Sequence, residues 1–371
     1  MHSIFYYSHE LARYDFGPDH PFKPERAQKA LELCHRYGVL DQKHMIVKSP
    51  SPLEHQKLLL AHSQDYLETL RRVGQGEIFE EMLKFGIGTE DNPPLRGIYD
   101  WSRKCAGATW EGMVELLDKD TDITFNPLGG FHHALPSRAS GFCYINDIVI
   151  AIKQAVNHNV KITYLDIDAH HGDGVQKAFY HEDRVQFISI HESGKHIFPY
   201  SGSAEESGEG DGEGFTINIP LPPKTDDEVY LEAVHRIVLP LIKGFRPDIL
   251  VAELGADSLV SDPLTGLMLT NNSYTQVVRE LKGLCPKILA TGGGGYDIYR
   301  TARCWTLAWA ILNDVEPRDQ FAGLVGGMMF GPEMEVSSLY DRPYTITGPE
   351  KDKIRQEVDK TIEFLIKRHH L

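Results

Sequence analysis

Lys161-Ile-Thr-Tyr-Leu-Asp-Ile-Asp-Ala-His-His-Gly-Asp-Gly174 opens as an apolar, β-rich run and closes on Asp166, Asp168, His170, His171 and Asp173. Strand propensity predicts a buried strand over Ile162 to Leu165, and Gly172 and Gly174 mark the turn that leaves it. Acidic and imidazole side chains are therefore concentrated where a core strand stops. Burying so many charges without partners costs on the order of several kcal/mol each, so a metal or a hydrogen-bonded network is expected there. The bland alternative, a solvated loop rich in Asp and His, conflicts with the apolar strand that precedes it.

Working outward, further short apolar runs predict strands at Ile123–Phe125, Val185–Ile190, Ile249–Leu254 and Ile288–Ala290, after strand-like residues at the amino terminus. Helical periodicity predicts helices at Ala27–Tyr37, Ser63–Val73, Ile98–Leu117, Ile148–Asn157, Glu228–Ile242, Tyr274–Leu284 and Tyr299–Leu312. Trp101 and Trp110 are expected in the core. Near-continuous apolar strands alternating with helices indicate an α/β fold, a largely parallel sheet covered by helices on both faces. Gly202 to Gly214, rich in Gly and Glu, reads as a mobile surface loop, and Lys351–Lys367 as a docked terminal helix striped by Ile354, Val358, Ile362 and Leu365.

Each strand runs into polar chemistry: Phe125 into His132-His133, Leu165 into the Asp/His cluster, Ile190 into His191, Leu254 into Asp257, and Ala290 into Gly292–Gly295 and Tyr296. Ligands of open parallel sheets bind beyond the carboxyl ends of the strands, so one active site at that edge is the economical explanation.

At 371 residues, 41% hydrophobic and 25% charged, the chain is expected to be a soluble globular protein. No apolar run reaches the roughly 18 residues that span a bilayer, and no secretory signal is visible. Cys34, Cys105, Cys143, Cys285 and Cys304 are scattered and odd in number. That predicts reduced thiols in a cytoplasmic compartment and no thiolate zinc site. A net charge of −15 argues against direct nucleic-acid binding and favours approach of cationic ligands such as lysine-rich peptides, although solubility explains it as well.

Asp168, His170 and Asp257 offer two carboxylates and an imidazole to a divalent metal, with positions left for water and substrate. Zinc is the default; iron(II) or cobalt accepts the same donors. The bland alternative for Asp257 read alone, a helix cap after a strand, is the weaker one. His132 and His133, with Asp166 and Asp173 to orient them, supply general acid and base. Gly292–Gly295 lacks the Lys-Ser/Thr of a phosphate loop; it lets the backbone approach a ligand and presents Tyr296, whose hydroxyl can donate to a developing oxyanion.

Taken together, the motifs resemble the histone deacetylase family of the arginase–deacetylase fold, particularly class I enzymes and the bacterial acetoin-utilisation-type deacetylases. They are His20-Pro-Phe-Lys-Pro-Glu-Arg26, Gly129-Gly-Phe-His-His-Ala134, Gly141-Phe-Cys-Tyr-Ile-Asn146 and Asp166-Ile-Asp-Ala-His-His-Gly-Asp-Gly-Val-Gln176. His196-Ile-Phe-Pro199, Leu254-Gly-Ala-Asp-Ser-Leu259 and Gly292-Gly-Gly-Gly-Tyr296 follow in family order. The resemblance implies a single domain over residues 1–371, with a motif-bearing core at about 5–315 and a C-terminal segment, 316–371, that carries no motif.

It further implies a zinc-dependent amidohydrolase that releases acetate from Nε-acetyl-lysine in proteins or peptides. Asp168, His170 and Asp257 would ligate zinc; His132 and His133 would face the attacking water, backed by Asp166 and Asp173; Tyr296 would polarise the acetyl carbonyl. Phe142 and Phe198 would wall the acyl-lysine channel, with Gly294 on its floor and Leu264 at its rim. The Gly141 carbonyl would accept the substrate amide, Asp91 would hold the peptide backbone, and Arg26 would belong to the acetate-exit cavity. Asp166, Asp168, His170, Ser189 and Ile190 would form an inner potassium site, with Phe179 near a second.

Two departures stand out. Asp91-Asn92-Pro93 lacks the cysteine usual in class I between the acid and the proline, and the Gly202–Gly214 loop differs in charge from eukaryotic relatives. Within the family, an acetylpolyamine deacetylase is the alternative; Leu264, where a rim glutamate would pair with the distal ammonium, argues against it. A silent acetyl-lysine binding module is disfavoured by the intact ligands, bases and tyrosine. An arginase-like ureohydrolase is disfavoured by the single Asp/His set. The partner expected is an acetylated protein or peptide, with no membrane partner and the oligomeric state open.

Overall fold

The computed structural model describes residues 2–118, 120–318 and 339–371. Eight strands form one sheet: β1 (Ser3–Tyr6), β2 (Met45–Lys48), β3 (Ile123–Asn126), β4 (Ile162–Asp166), β5 (Val185–Glu192), β6 (Thr216–Leu221), β7 (Ile249–Glu253) and β8 (Ile288–Thr291). Their order across the sheet is β2-β1-β3-β8-β7-β4-β5-β6, and every pairing is parallel. Side-chain alternation divides each central strand between two cores. Leu165, Ile188, Leu250 and Ile288 face one core; Tyr164, Phe187, Val251 and Leu289 face the other. Both faces are thus buried, which is why these strands read as unbroken apolar runs.

Helices cover both faces. In chain order they are α1 (His9–Ala12), α2 (Glu25–Arg36), α3 (His55–Leu58), α4 (Gln64–Gly74), α5 (Ile98–Asp118), α6 (Asp147–Asn157) and α7 (Asp173–Phe179). After β6 come α8 (Asp227–Ala233) and α9 (Leu239–Phe245), then α10 (Asn271–Leu284), α11 (Ile298–Leu312) and α12 (Pro349–His369). Side-chain caps fix several starts: Ser63 accepts from the Tyr66 N–H, Asn146 from Val149, Asp226 from Val229 and Asp297 from Tyr299.

The predicted helix over Glu228–Ile242 is interrupted by a π turn at Val234–Val238, where a wider turn joins α8 to α9. Strand β2 was not expected; it is an edge strand whose Ile46 and Val47 stay exposed, so it shows no core pattern. Trp101 is buried, but Trp110 is half-buried under the Lys57 ammonium, which lies 4.9 Å from its ring. The Gly202–Gly214 loop is tethered rather than loose, because Gln176 donates to Glu206 at 2.5 Å and Arg368 of α12 to Glu213 at 2.8 Å. Helix α12 buries the expected stripe of Ile354, Val358, Ile362 and Leu365. The rest of the 316–371 segment lies largely outside the described residues.

Candidate metal centre and active site

Four strands adjacent in the sheet, β3, β8, β7 and β4, end side by side and deliver His132/His133, Gly294/Tyr296, Asp257 and Asp168/His170 from the loops that follow them. Asp168, His170 and Asp257 are buried, and one donor atom from each lies within 4.8 Å of the others. The His170 Nδ1 stands 2.8 Å from Asp257 Oδ2 and 3.1 Å from Asp168 Oδ1. Backbone N–H groups aim the carboxylates: Gly294 donates to Asp168 Oδ2 at 2.6 Å, His170 to Asp168 Oδ1 at 2.8 Å and Ala169 to Asp257 Oδ1 at 2.8 Å.

Burial, followed by the Asp168 charge, pushes the Asp257 carboxyl up to about 7. Burial would also raise Asp168, but His132 and His170 outweigh it and hold this acid well below the usual range. Two crowded carboxylates and an imidazole therefore share protons unless a cation takes their place. That donor set fits a divalent ion bound through three protein ligands. A Cβ on Gly294 would lie 2.1 Å from Asp257 Oδ2, so only glycine lets the backbone reach this centre.

Beside the triad, the tandem histidines are each anchored by a carboxylate. His132 Nδ1 lies 2.8 Å from Asp166 Oδ2, His133 Nδ1 lies 2.7 Å from Asp173 Oδ1, and the two Nε2 atoms are 3.0 Å apart. Burial would lower the His132 imidazole, but Asp166 and Asp168 overcome it and hold it up at about 9. Burial and then the neighbouring His132 push His133 down to about 4. At neutral pH His132 thus carries the extra proton as an imidazolium, and His133 is the neutral imidazole.

The predicted channel residues gather in front of these groups. The Phe142 ring meets Tyr296 at 5.7 Å, and the Phe198 ring meets His133 at 4.9 Å, both edge-on. Gly141 has φ +50, and a Cβ there would lie 2.5 Å from His133 Cδ2. Leu264 and Asp91 are both exposed. Asn92 is buried and donates to the Cys143 carbonyl at 3.3 Å, so it packs the loop behind Asp91 in place of the missing cysteine. Arg26 is buried between the Phe22 and Trp305 rings and donates to the Gly295 carbonyl at 2.7 Å and to that of Gly293. Of the residues assigned to potassium, Asp166 pairs in register with Ser189, Ile190 follows it in the buried strand β5, and Phe179 ends α7.

Sequence reading missed several supporting groups. Tyr164 donates to Asp166 Oδ2 at 2.6 Å; its place two residues before that acid on one strand face was the available signal. Asp147 accepts from the Phe131 N–H at 2.9 Å and the Gly130 N–H at 3.2 Å, which fixes the loop carrying His132. Glu253, the last residue of β7, is fully buried within reach of His132 and Asp168, and burial holds its carboxyl well above the usual range. A lone charge ending an apolar strand was its signal. His20 accepts from the Phe22 N–H and reaches the Asp91 carbonyl, each at 3.1 Å.

Residues 20–312 match the sequence model of the histone deacetylase domain. The chain belongs to the histone deacetylase family. This family member is 37% identical over 318 residues to histone deacetylase B of Dictyostelium discoideum, covering 85% of this chain and 75% of that one. It is 33% identical over 368 residues to histone deacetylase 1 of Homo sapiens, covering 97% and 75%. Among solved structures, a histone deacetylase homologue from Aquifex aeolicus superposes with a TM-score of 0.84 at 30% identity over the whole of both chains. A homologue complexed with SAHA superposes with a TM-score of 0.83 at 30% identity over 99% of both. The α/β sheet with helices on both faces is thus the histone deacetylase fold, and the family relationship makes the protein a deacetylase-type hydrolase.

Proposed function

We propose that this histone deacetylase family member hydrolyses Nε-acetyl-lysine in proteins or peptides in a zinc-dependent reaction. The observation that carries the reading is the convergence at four adjacent strand ends of a three-donor metal centre, two carboxylate-backed histidines and Tyr296. Asp168, His170 and Asp257 would hold the ion, which when bound supplies a Lewis acid and an acidified water. His133, neutral and held by Asp173, takes the proton of the attacking water. The protonated His132–His133 pair then returns a proton to the departing lysine amine, which could not leave as an amide anion. Tyr296 donates its hydroxyl to the oxygen that gains charge, a contact worth about 3 kcal/mol in comparable sites. Phe142 and Phe198 flank an aliphatic stem, and the Gly141 carbonyl accepts the substrate amide. Potassium binding by Asp166, Asp168, His170, Ser189 and Ile190, and a cytoplasmic location, belong to the same proposal.

The test is turnover of an acetyl-lysine peptide beside N-acetylated polyamines by zinc-reconstituted protein. Peptide turnover supports the reading, and preference for the polyamines overturns the argument from Leu264. No turnover of either, with metal bound, rejects it.

A further inference from the structure

The loop after β7 carries an acid that neither binds the metal nor faces the channel. Asp262 is buried, and both its oxygens are taken by backbone: Oδ2 accepts the Tyr296 N–H at 2.8 Å, and Oδ1 accepts the Leu264 N–H at 3.0 Å. One carboxylate thus joins the hydroxyl-bearing tyrosine after β8 to the exposed rim residue of another loop. The preceding Ser261 is exposed and holds φ +74, a left-handed conformation uncommon for a non-glycine residue. Beyond the rim the loop is pinned again, by the Thr265 hydroxyl on the Asp257 carbonyl and by the Gly266 N–H on buried Glu192 at 2.6 Å. Between these anchors, Asp262 spans rim and tyrosine directly.

We propose that Asp262 is a positioning residue that makes rim contact control the placement of Tyr296, so that a peptide seated against Leu264 is rewarded in kcat. The proposal rests on the acetyl-lysine reading above. A carboxylate can accept both N–H groups, whereas an asparagine has one acceptor and turns its NH2 against the other donor. In Asp262→Asn, kcat on an acetyl-lysine peptide should fall about 10- to 100-fold, part of the loss expected when an oxyanion donor is displaced, with KM nearly unchanged. The advantage in kcat of that peptide over isolated, end-blocked Nε-acetyl-lysine should shrink towards unity. Metal content and metal affinity should stay at the wild-type level.

Asp262→Ala, which removes both acceptors, is read in the same way should the asparagine variant not accumulate. Thr265→Val loosens the same loop without touching Tyr296, and should leave the peptide advantage in place. The proposal is overturned if Asp262→Asn keeps its kcat and its peptide advantage, if the loss tracks lost metal, or if Thr265→Val has the same effect. A metal-loaded wild-type protein inactive on both substrates would reject the deacetylase reading itself, and this inference with it.

Discussion

The Nε2 atoms of His132 and His133 stand 3.0 Å apart, yet their surroundings hold the two imidazoles at opposite ends of the histidine range. Burial acts on both; Asp166 and Asp168 reverse it only at His132. The working state needs His133 neutral and His132 protonated. kcat/KM should therefore fall below about 4, where His133 gains a proton, and above about 9, where His132 loses one. Asp166→Asn removes the charge that holds His132 up, so the alkaline limb of the profile should move down by about one to three pH units. An unmoved limb would assign it to another group.

Tyr296→Phe removes one hydroxyl and leaves the ring against Phe142. Steady-state kinetics on an acetyl-lysine peptide should show kcat lowered by about 10²–10³-fold with little change in KM.

Metal uptake should release protons near neutrality. In the metal-free protein Asp257 titrates at about 7, so below that pH it carries a proton that an incoming ion must displace. His170, buried yet held well above its ordinary value by Asp257 and Asp168, must give up a second proton to become a ligand. Affinity should rise with pH through that range, and titration calorimetry in buffers of differing ionisation enthalpy should count close to two protons at pH about 6. Gly294→Ala drives a methyl into the Asp257 carboxylate and should weaken the metal about 10- to 100-fold, the cost typical of disturbing groups that orient ligands.

His62 supplies a stability switch away from the metal. It is buried, reaches the Leu135 carbonyl through Nδ1 at 3.1 Å and accepts the Asn146 N–H on Nε2 at 2.9 Å. Burial pushes its imidazole down to about 4. The unfolded chain thus binds the extra proton more readily. The contribution is fully present above about 6.5 and is lost as pH falls towards 4, by about 3 kcal/mol at most. Denaturant midpoints measured across that range should drop for the wild type and drop less for His62→Gln.

What the sequence revealed follows from where its signals lie. Asp168, His170, Asp257, His132 and Tyr296 were readable because each is a polar residue placed where an apolar run stops. Strand β2 was not, because at the sheet edge Ile46 and Val47 stay exposed and leave no periodic mark. Asp262 was missed for a different reason. Its partners are backbone N–H groups, one of them 34 residues away, and no residue type announces such a bond. Asp147 and Tyr164 act from behind groups that were found. They show that the signal for a reacting residue is chemical, whereas the signal for its support is spatial.

Strand β8 is the last of the eight in the chain, yet it lies between β3 and β7 in the middle of the sheet. A chain ending before Ile288 has two half-sheets with open edges and no floor beneath the histidines. The site groups on the loops after β3 and after β4 and β7 belong to opposite sides of that gap. The site is therefore assembled only through pairings between β8 and strands distant from it in sequence, and no stretch of the chain that lacks β8 brings its two sides together.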